Sequence, residues 1–239
     1  MPGWVRCFQF KLRAEIRSSM KVRYVVLARS LWMFDLNLLN PKGLSWQGVL
    51  ERLTERYKFA KAPKHLLDLN EQKNLAFQLG TFINSKNLPI SIAFYVYNNG
   101  FSAETQSSTD DATEFLEEMT SWITKEYGFV VPPDLRRGYV SQVEVECDTP
   151  LTALNPKLSA FLHEIERRVK TIDGKPRQFD VGAIQCFTED VNQMMAPAVF
   201  RFERKWGSPF ASNQYFTQSA LETGEHIELL NKLEQLLRS

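Results

Sequence analysis

The stretch from Leu88 to Gly128 constrains the fold more than any other part of the chain, because two different periodicities follow one another in it. Ile90, Ile92, Phe94 and Val96 recur at every second residue, the repeat of a strand with one buried face. Asn98-Asn99-Gly100 interrupts that pattern, and Phe101 to Thr105 continues the extended run. An Asn-Gly pair between two such runs predicts a tight β-hairpin, with the Asn99-Gly100 turn exposed at a sheet end and supplying positive φ. The period then changes. Ser108 or Thr109 can cap a helix, Asp110, Asp111 and Glu114 suit its positive end, and Phe115, Met119, Trp122 and Ile123 form its apolar stripe. Gly128 is a natural stop. The segment therefore predicts a hairpin docked to a helix running from about Asp110 to Tyr127.

The same signals place the remaining elements. Val22, Tyr24 and Val26 alternate with Lys21 and Arg23 in a strand over 21–29, with a continuation through Trp32 to Leu39, and Asn40-Pro41-Lys42-Gly43 makes a turn. Ser45 caps a helix carrying Trp46, Val49, Leu50, Leu53 and Tyr57 and ending before Pro63. A polar connection with Asp68, Asn70, Glu71 and Lys73 leads into a strand from Leu75 to Ile83. Residues 130–138, with Pro132-Pro133, make the best linker in the chain. Beyond them Val143, Val145 and Cys147 alternate with Gln142, Glu144 and Glu146, a strand over Tyr139–Cys147. Asn155-Pro156 reads as cap and first-turn proline of a helix whose stripe is Leu158, Phe161, Leu162, Ile165 and Val169. Asp173-Gly174-Lys175-Pro176 is a turn, strands follow near 179–187 and 199–206, and Gly207-Ser208-Pro209 opens a loop before a last helix from about Thr223 to Leu237.

Strands gather before helices instead of alternating strictly with them, which predicts an α+β fold: a mainly antiparallel sheet with amphipathic helices on one face. Each half contains paired strands followed by a helix. Two similar strand-strand-helix halves, 1–131 and 132–239, are one division; a single continuous domain is the other. Met20 followed by Lys-Val-Arg-Tyr-Val-Val reads as a natural start, which makes 1–19 an optional extension.

Composition narrows the function classes. A chain of 239 residues, 44% hydrophobic and 24% charged, can bury a sizeable core, and a net charge of +1 supplies no global field to select a partner. No apolar run approaches the ~20 residues of a membrane span. Cys7, Cys147 and Cys186 are odd in number and widely spaced, as free buried thiols in a reducing cytoplasm would be. His65, His163 and His226 are too few and scattered for a zinc site, and Gly80, Gly100, Gly128, Gly182 and Gly207 stand alone, so no phosphate loop is present.

Three constellations bear on chemistry. Glu203-Arg204-Lys205 lies in a predicted strand, and Asp180 at the start of the strand before it. Two carboxylates and a lysine on adjacent strands are what a Mg²⁺-dependent nuclease of the restriction-endonuclease type uses to hold its metal and stabilise charge on phosphorus. Glu144, Glu146 and Asp148 follow one face of another strand, a pattern of paired carboxylates that also suits an ordinary charged sheet face. His163 reads as a boundary residue, and His226 falls in the first turn of the last helix with no Ser or Cys paired to it by spacing. With no catalytic motif, the expectation is a non-enzymatic protein-interaction or assembly module, an accessory subunit without cofactor; the alternative is the hydrolase built on Asp180, Glu203 and Lys205.

Local charge speaks to partners. Arg6, Lys11, Arg13, Arg17, Lys21, Arg23 and Arg29 face Glu15 alone, whereas Glu104, Asp110, Asp111, Glu114, Glu117, Glu118 and Glu126 face Lys125 alone. A basic start resembles an organellar presequence, but Trp4, Cys7, Phe8 and Phe10 read as a strand. Glu114, Glu117, Glu118, Arg6, Lys11, Arg13 and Arg17 are the predicted partner-binding residues, for another protein or a second copy. Tyr95 and Tyr97 share a strand face that could stack bases, yet no basic residue interleaves with them and the next helix is acidic, so nucleic acid is an unlikely partner on sequence grounds.

Overall fold

The computed structural model describes residues 20–43, 46–63, 74–169, 174–189 and 199–239. Within them eight strands form one antiparallel sheet: β1 (Lys21–Met33), β2 (Leu75–Ile83), β3 (Pro89–Tyr97), β4 (Gly100–Thr105), β5 (Arg136–Glu146), β6 (Ala183–Cys186), β7 (Phe200–Arg204) and β8 (Gln214–Ser219). Five helices accompany them: α1 (Leu36–Leu39), α2 (Trp46–Tyr57), α3 (Thr109–Tyr127), α4 (Leu158–Arg168) and α5 (Thr223–Arg238). An α+β fold with a mainly antiparallel sheet is what the sequence predicts.

The strand order is β2-β3-β4-β1-β5-β8-β7-β6. Read outward from the centre, β1, β4, β3, β2 is answered by β5, β8, β7, β6, and α3 and α5 each follow the last strand of a half. The two halves thus share one topology and meet along β1 and β5, whose register runs from Lys21 opposite Glu146 to Met33 opposite Arg136. The sheet is continuous across Pro132-Pro133. Residues around those prolines carry no strand or helix, but Phe129 is buried and seals the core instead of leading into an exposed linker.

Facial alternation decides where the core sits. On the inner face Trp32, Phe77, Phe94 and Phe101 pack under α2 and α3, with Phe115 at the centre of an edge-to-face aromatic cluster that includes Tyr57, Phe82 and Phe94. Val143, Val145, Phe202 and Tyr215 pack under α5 through Leu230 and Leu237. Where α3 and α5 begin, the two halves are joined reciprocally: the Thr109 N–H donates to Thr223 Oγ1 at 3.1 Å and the Thr223 N–H to Thr109 Oγ1 at 2.8 Å.

Helix α3 follows the sequence closely. Ser108 Oγ accepts from the Asp111 N–H at 3.1 Å, and Gly128 closes the helix in the left-handed region at φ 68°. The hairpin differs in detail. Its two loop residues are Asn98 and Asn99, between the paired Tyr97 and Gly100, and neither has positive φ. Gly100 is the first residue of β4, at φ 140°, and a Cβ there would lie 1.9 Å from the Trp32 carbonyl oxygen. The glycine is needed for close approach of β4 to β1, not for the turn.

Five further expectations change. The strand over 21–29 extends only to Met33, because Asp35 accepts from the Asn37 N–H and starts the short helix α1. The predicted loop after Pro209 contains β8; its inward residues Thr217 and Ser219 are polar, so the strand lacks an apolar alternation. The stripe of α4 is not buried: none of its residues is, and Phe161 is 62% exposed. Its cap is also displaced, with Asn155 Oδ1 accepting from the Lys157 N–H while the helix begins at Leu158. Cys147 is buried as expected, but Cys186 is exposed on β6. Ser45, the polar connection over 64–73 and the basic segment 1–19 lie outside the described residues. No helix among the described residues is long and apolar enough to cross a membrane.

Candidate docking face of the sheet

The helices α2, α3 and α5 all cover the inner face. Among the described residues none of them packs on the outer one, which displays ordered rows of side chains across the strands. Cross-strand pairing places Ala76, Tyr95, Ser102 and Leu31 in one row and Ala93, Glu104, Arg29 and Val140 in the next. In the other half Leu27, Gln142, Gln218, Arg201 and Gln185 form a row through five strands. Tyr24, Glu144, Phe216 and Glu203 form the row beside it. Most of these residues are half-buried, and Tyr24 is 48% exposed.

Charges on this face are paired across strands. Arg29 Nε donates to Glu104 at 2.8 Å, Arg23 to Glu146 at 2.6 Å, and Lys205 to Glu144 and, at 3.3 Å, to Tyr24 Oη. Arg201 Nε stands 3.7 Å from Glu203, and Gln142 donates to Gln218 at 2.9 Å. Burial works to raise the Glu144 pKa, but the hydrogen bonds from Lys205 and Tyr24 and the Lys205 charge hold it below the usual glutamate value. For Tyr95, burial and the Glu104 carboxylate both push the phenol up. The sequence shows no basic residue interleaved with Tyr95 and Tyr97 along their strand; the sheet brings Arg29 to the same face from β1, a proximity that only strand pairing reveals.

The constellation Asp180, Glu203 and Lys205 is not assembled. Asp180 forms an ion pair with Arg204, which lies over the ring of inward-facing Tyr215 at 5.4 Å. Glu203 and Lys205 point to the outer face, where each has another partner: Arg201 and Glu144. The parity of a strand places Arg204 and its neighbours on opposite sides, so Asp180, held by Arg204, cannot join them. Among the described residues no group of three His, Cys, Asp or Glu side chains is arranged to hold a metal. The carboxylates of the β5 end are likewise tied individually, Glu144 to Lys205, Glu146 to Arg23 and Asp148 to Arg238.

The three glutamates of α3 expected to bind a partner are engaged within the fold. Glu118 accepts from Arg56 and from the Tyr57 hydroxyl, Glu114 from Ser85 Oγ at 3.1 Å, and Glu117 faces Arg137 at 3.2 Å. Arg6, Lys11, Arg13 and Arg17 lie outside the described residues. His163 is exposed beside Glu166. His226 is fully buried between Ser141 Oγ at 3.0 Å and Thr217 Oγ1 at 3.2 Å, and burial pushes its pKa down to about 4.

No protein-family model matches this chain, and no curated protein does. Among solved structures it is similar to Methanococcus jannaschii TBP, at 13% identity and a TM-score of 0.42, over 92% of this chain and 98% of that one. The expectation that nucleic acid is an unlikely partner is withdrawn: that structure is of a DNA-binding protein, and the likeness does not extend to what this chain itself binds. Nucleic acid therefore stands among the partner classes to be tested.

Proposed function

We propose that this chain is a non-enzymatic binding module, an accessory subunit that docks another protein on the outer face of its sheet. The observation that supports the reading is a face on which, among the described residues, none of α2, α3 and α5 packs: rows of Tyr, Leu and Gln side chains interspersed with Arg29–Glu104, Arg23–Glu146 and Lys205–Glu144 ion pairs. Aromatic side chains and arginines are favoured in protein interfaces, and an ion pair already formed stays satisfied when a partner covers it. Free Cys147 and exposed, unbridged Cys186 suit a cytoplasmic setting, where thiols stay reduced.

Capture from the native host under mild conditions tests this, using wild type, a Tyr24→Asp/Leu31→Asp variant of the outer face and a Leu236→Asp control on exposed α5. A protein retained by wild type and control but lost from the face variant is the expected result. Duplex DNA bound through the same face with no protein captured overturns the reading, as does Mg²⁺-dependent cleavage abolished by Lys205→Ala.

A further inference from the structure

A groove of about 420 Å³ runs along α3 on the inner side, away from the docking face. Glu117, Thr120, Ser121, Thr124 and Lys125 form one wall, on a single side of the helix as spacings of three and four residues require. Val131, Leu135 and Arg137 form the other, and Trp32, the cross-strand partner of Arg137, belongs to the lining.

Three features of the groove are complementary to one ligand chemistry. Trp32 is 3% exposed, and its indole N–H has no hydrogen-bond partner among the described residues. A buried donor left unmet is costly, and an acceptor entering the groove relieves that cost. The Arg137 guanidinium lies 4.9 Å over the Trp32 ring while also facing Glu117 at 3.2 Å. Both members of that ion pair are well exposed, at 43% and 53%, so the pair holds Arg137 weakly, and the guanidinium, which also meets the Tyr139 hydroxyl, can exchange Glu117 for another carboxylate. Lys125 adds a second cation at the rim, and Val131 and Leu135 supply apolar wall.

We infer that this groove binds a small amphipathic carboxylate, an acid with a flat or short apolar body. Its carboxylate engages Arg137 and the Trp32 indole N–H, and its body lies against Val131 and Leu135. The site is independent of the sheet-face reading and can fail without it.

Phenylacetate and 4-phenylbutyrate are the probes, with phenylacetamide as the neutral counterpart. The readout is the set of indole N–H signals of ¹⁵N-tryptophan-labelled full-length protein, which has five tryptophans, with Trp32 identified by Trp32→Phe. The expected result is a saturable shift of the Trp32 signal by the acids, about tenfold or more weaker for the amide and lost in Arg137→Gln. Lys125→Gln, on an exposed position, weakens binding in the same direction and carries the test if Arg137→Gln disturbs folding. No saturable shift with either acid, equal response to acid and amide, or unchanged binding in both charge variants overturns the inference.

Discussion

Replacing Gly100 by alanine tests the central packing of the sheet with one methyl group. At φ 140° a residue with a Cβ is strained by about 1–3 kcal/mol, and here the Cβ also falls 1.9 Å from the Trp32 carbonyl oxygen, a contact no side-chain rotation can relieve. The backbone has to move, and what moves is the end of β4 that pairs with Met33 and Trp32. The same loop is anchored by Phe34 N–H donating to the Asn99 carbonyl at 3.0 Å and Leu36 N–H to the Asn98 carbonyl at 3.1 Å. Loss of one or two such bonds adds about 1 kcal/mol each, for a total of about 2–5 kcal/mol. In a chain of this size each kcal/mol lowers Tm by about 2–4 °C, so Gly100→Ala is expected to melt roughly 10 °C below wild type. Asn99→Ala, at a loop position without positive φ, serves as the control and stays close to wild type. Circular dichroism and calorimetric melts measure both. A Gly100→Ala protein melting within about 2 °C of wild type refutes the close-approach argument.

Two other outcomes are expected. The His226 pKa is lowered to about 4 from an ordinary 6.5, so its stabilising contribution is full above pH 6.5 and declines as pH falls towards 4, by up to about 3 kcal/mol; denaturation midpoints from pH 7 to pH 4 are expected to fall less steeply in His226→Gln, and parallel profiles count against the assignment. Glu118→Lys removes the acceptor of the Tyr57 hydroxyl and sets a cation beside Arg56, costing about 1–3 kcal/mol, whereas Glu114→Lys and Glu117→Lys cost less than about 1 kcal/mol. Melting of the three single variants checks that ranking, and equal losses contradict it.

What was legible in the chain is what local chemistry determines. Ser108, Gly128 and the Phe115 stripe define α3, because a cap and a helical period act within a few residues. The alternation in β3 and β5 is equally local. Pairing is not: Lys205 meets Glu144 across 61 residues, and nothing near either announces the other. β8 carries no local signal because its buried side includes the polar Thr217 and Ser219, and the fold satisfies Thr217 with the Val143 carbonyl and His226. Strand parity puts Glu203 and Lys205 on one face, as found, but it does not say on which side Asp180 of the preceding segment falls, and there Arg204 holds it away from them. Phe161 and Val169 follow a helical stripe, but periodicity marks an amphipathic face without saying what covers it.

The reciprocal bonds between Thr109 and Thr223 have a consequence for the seam between the halves. They exchange identical groups about a local dyad, as residues do at the isologous interface of a homodimer, although both belong to one chain. A slip of β5 along β1 by one residue would turn every side chain to the wrong face; a slip by two would keep the faces correct and escape that penalty. Such a slip would also displace α5 from α3 by about 7 Å, parting both threonine pairs together. The clasp above the sheet thus acts as a vernier for the strands below it, excluding the one misregistration that hydrophobic patterning leaves permitted.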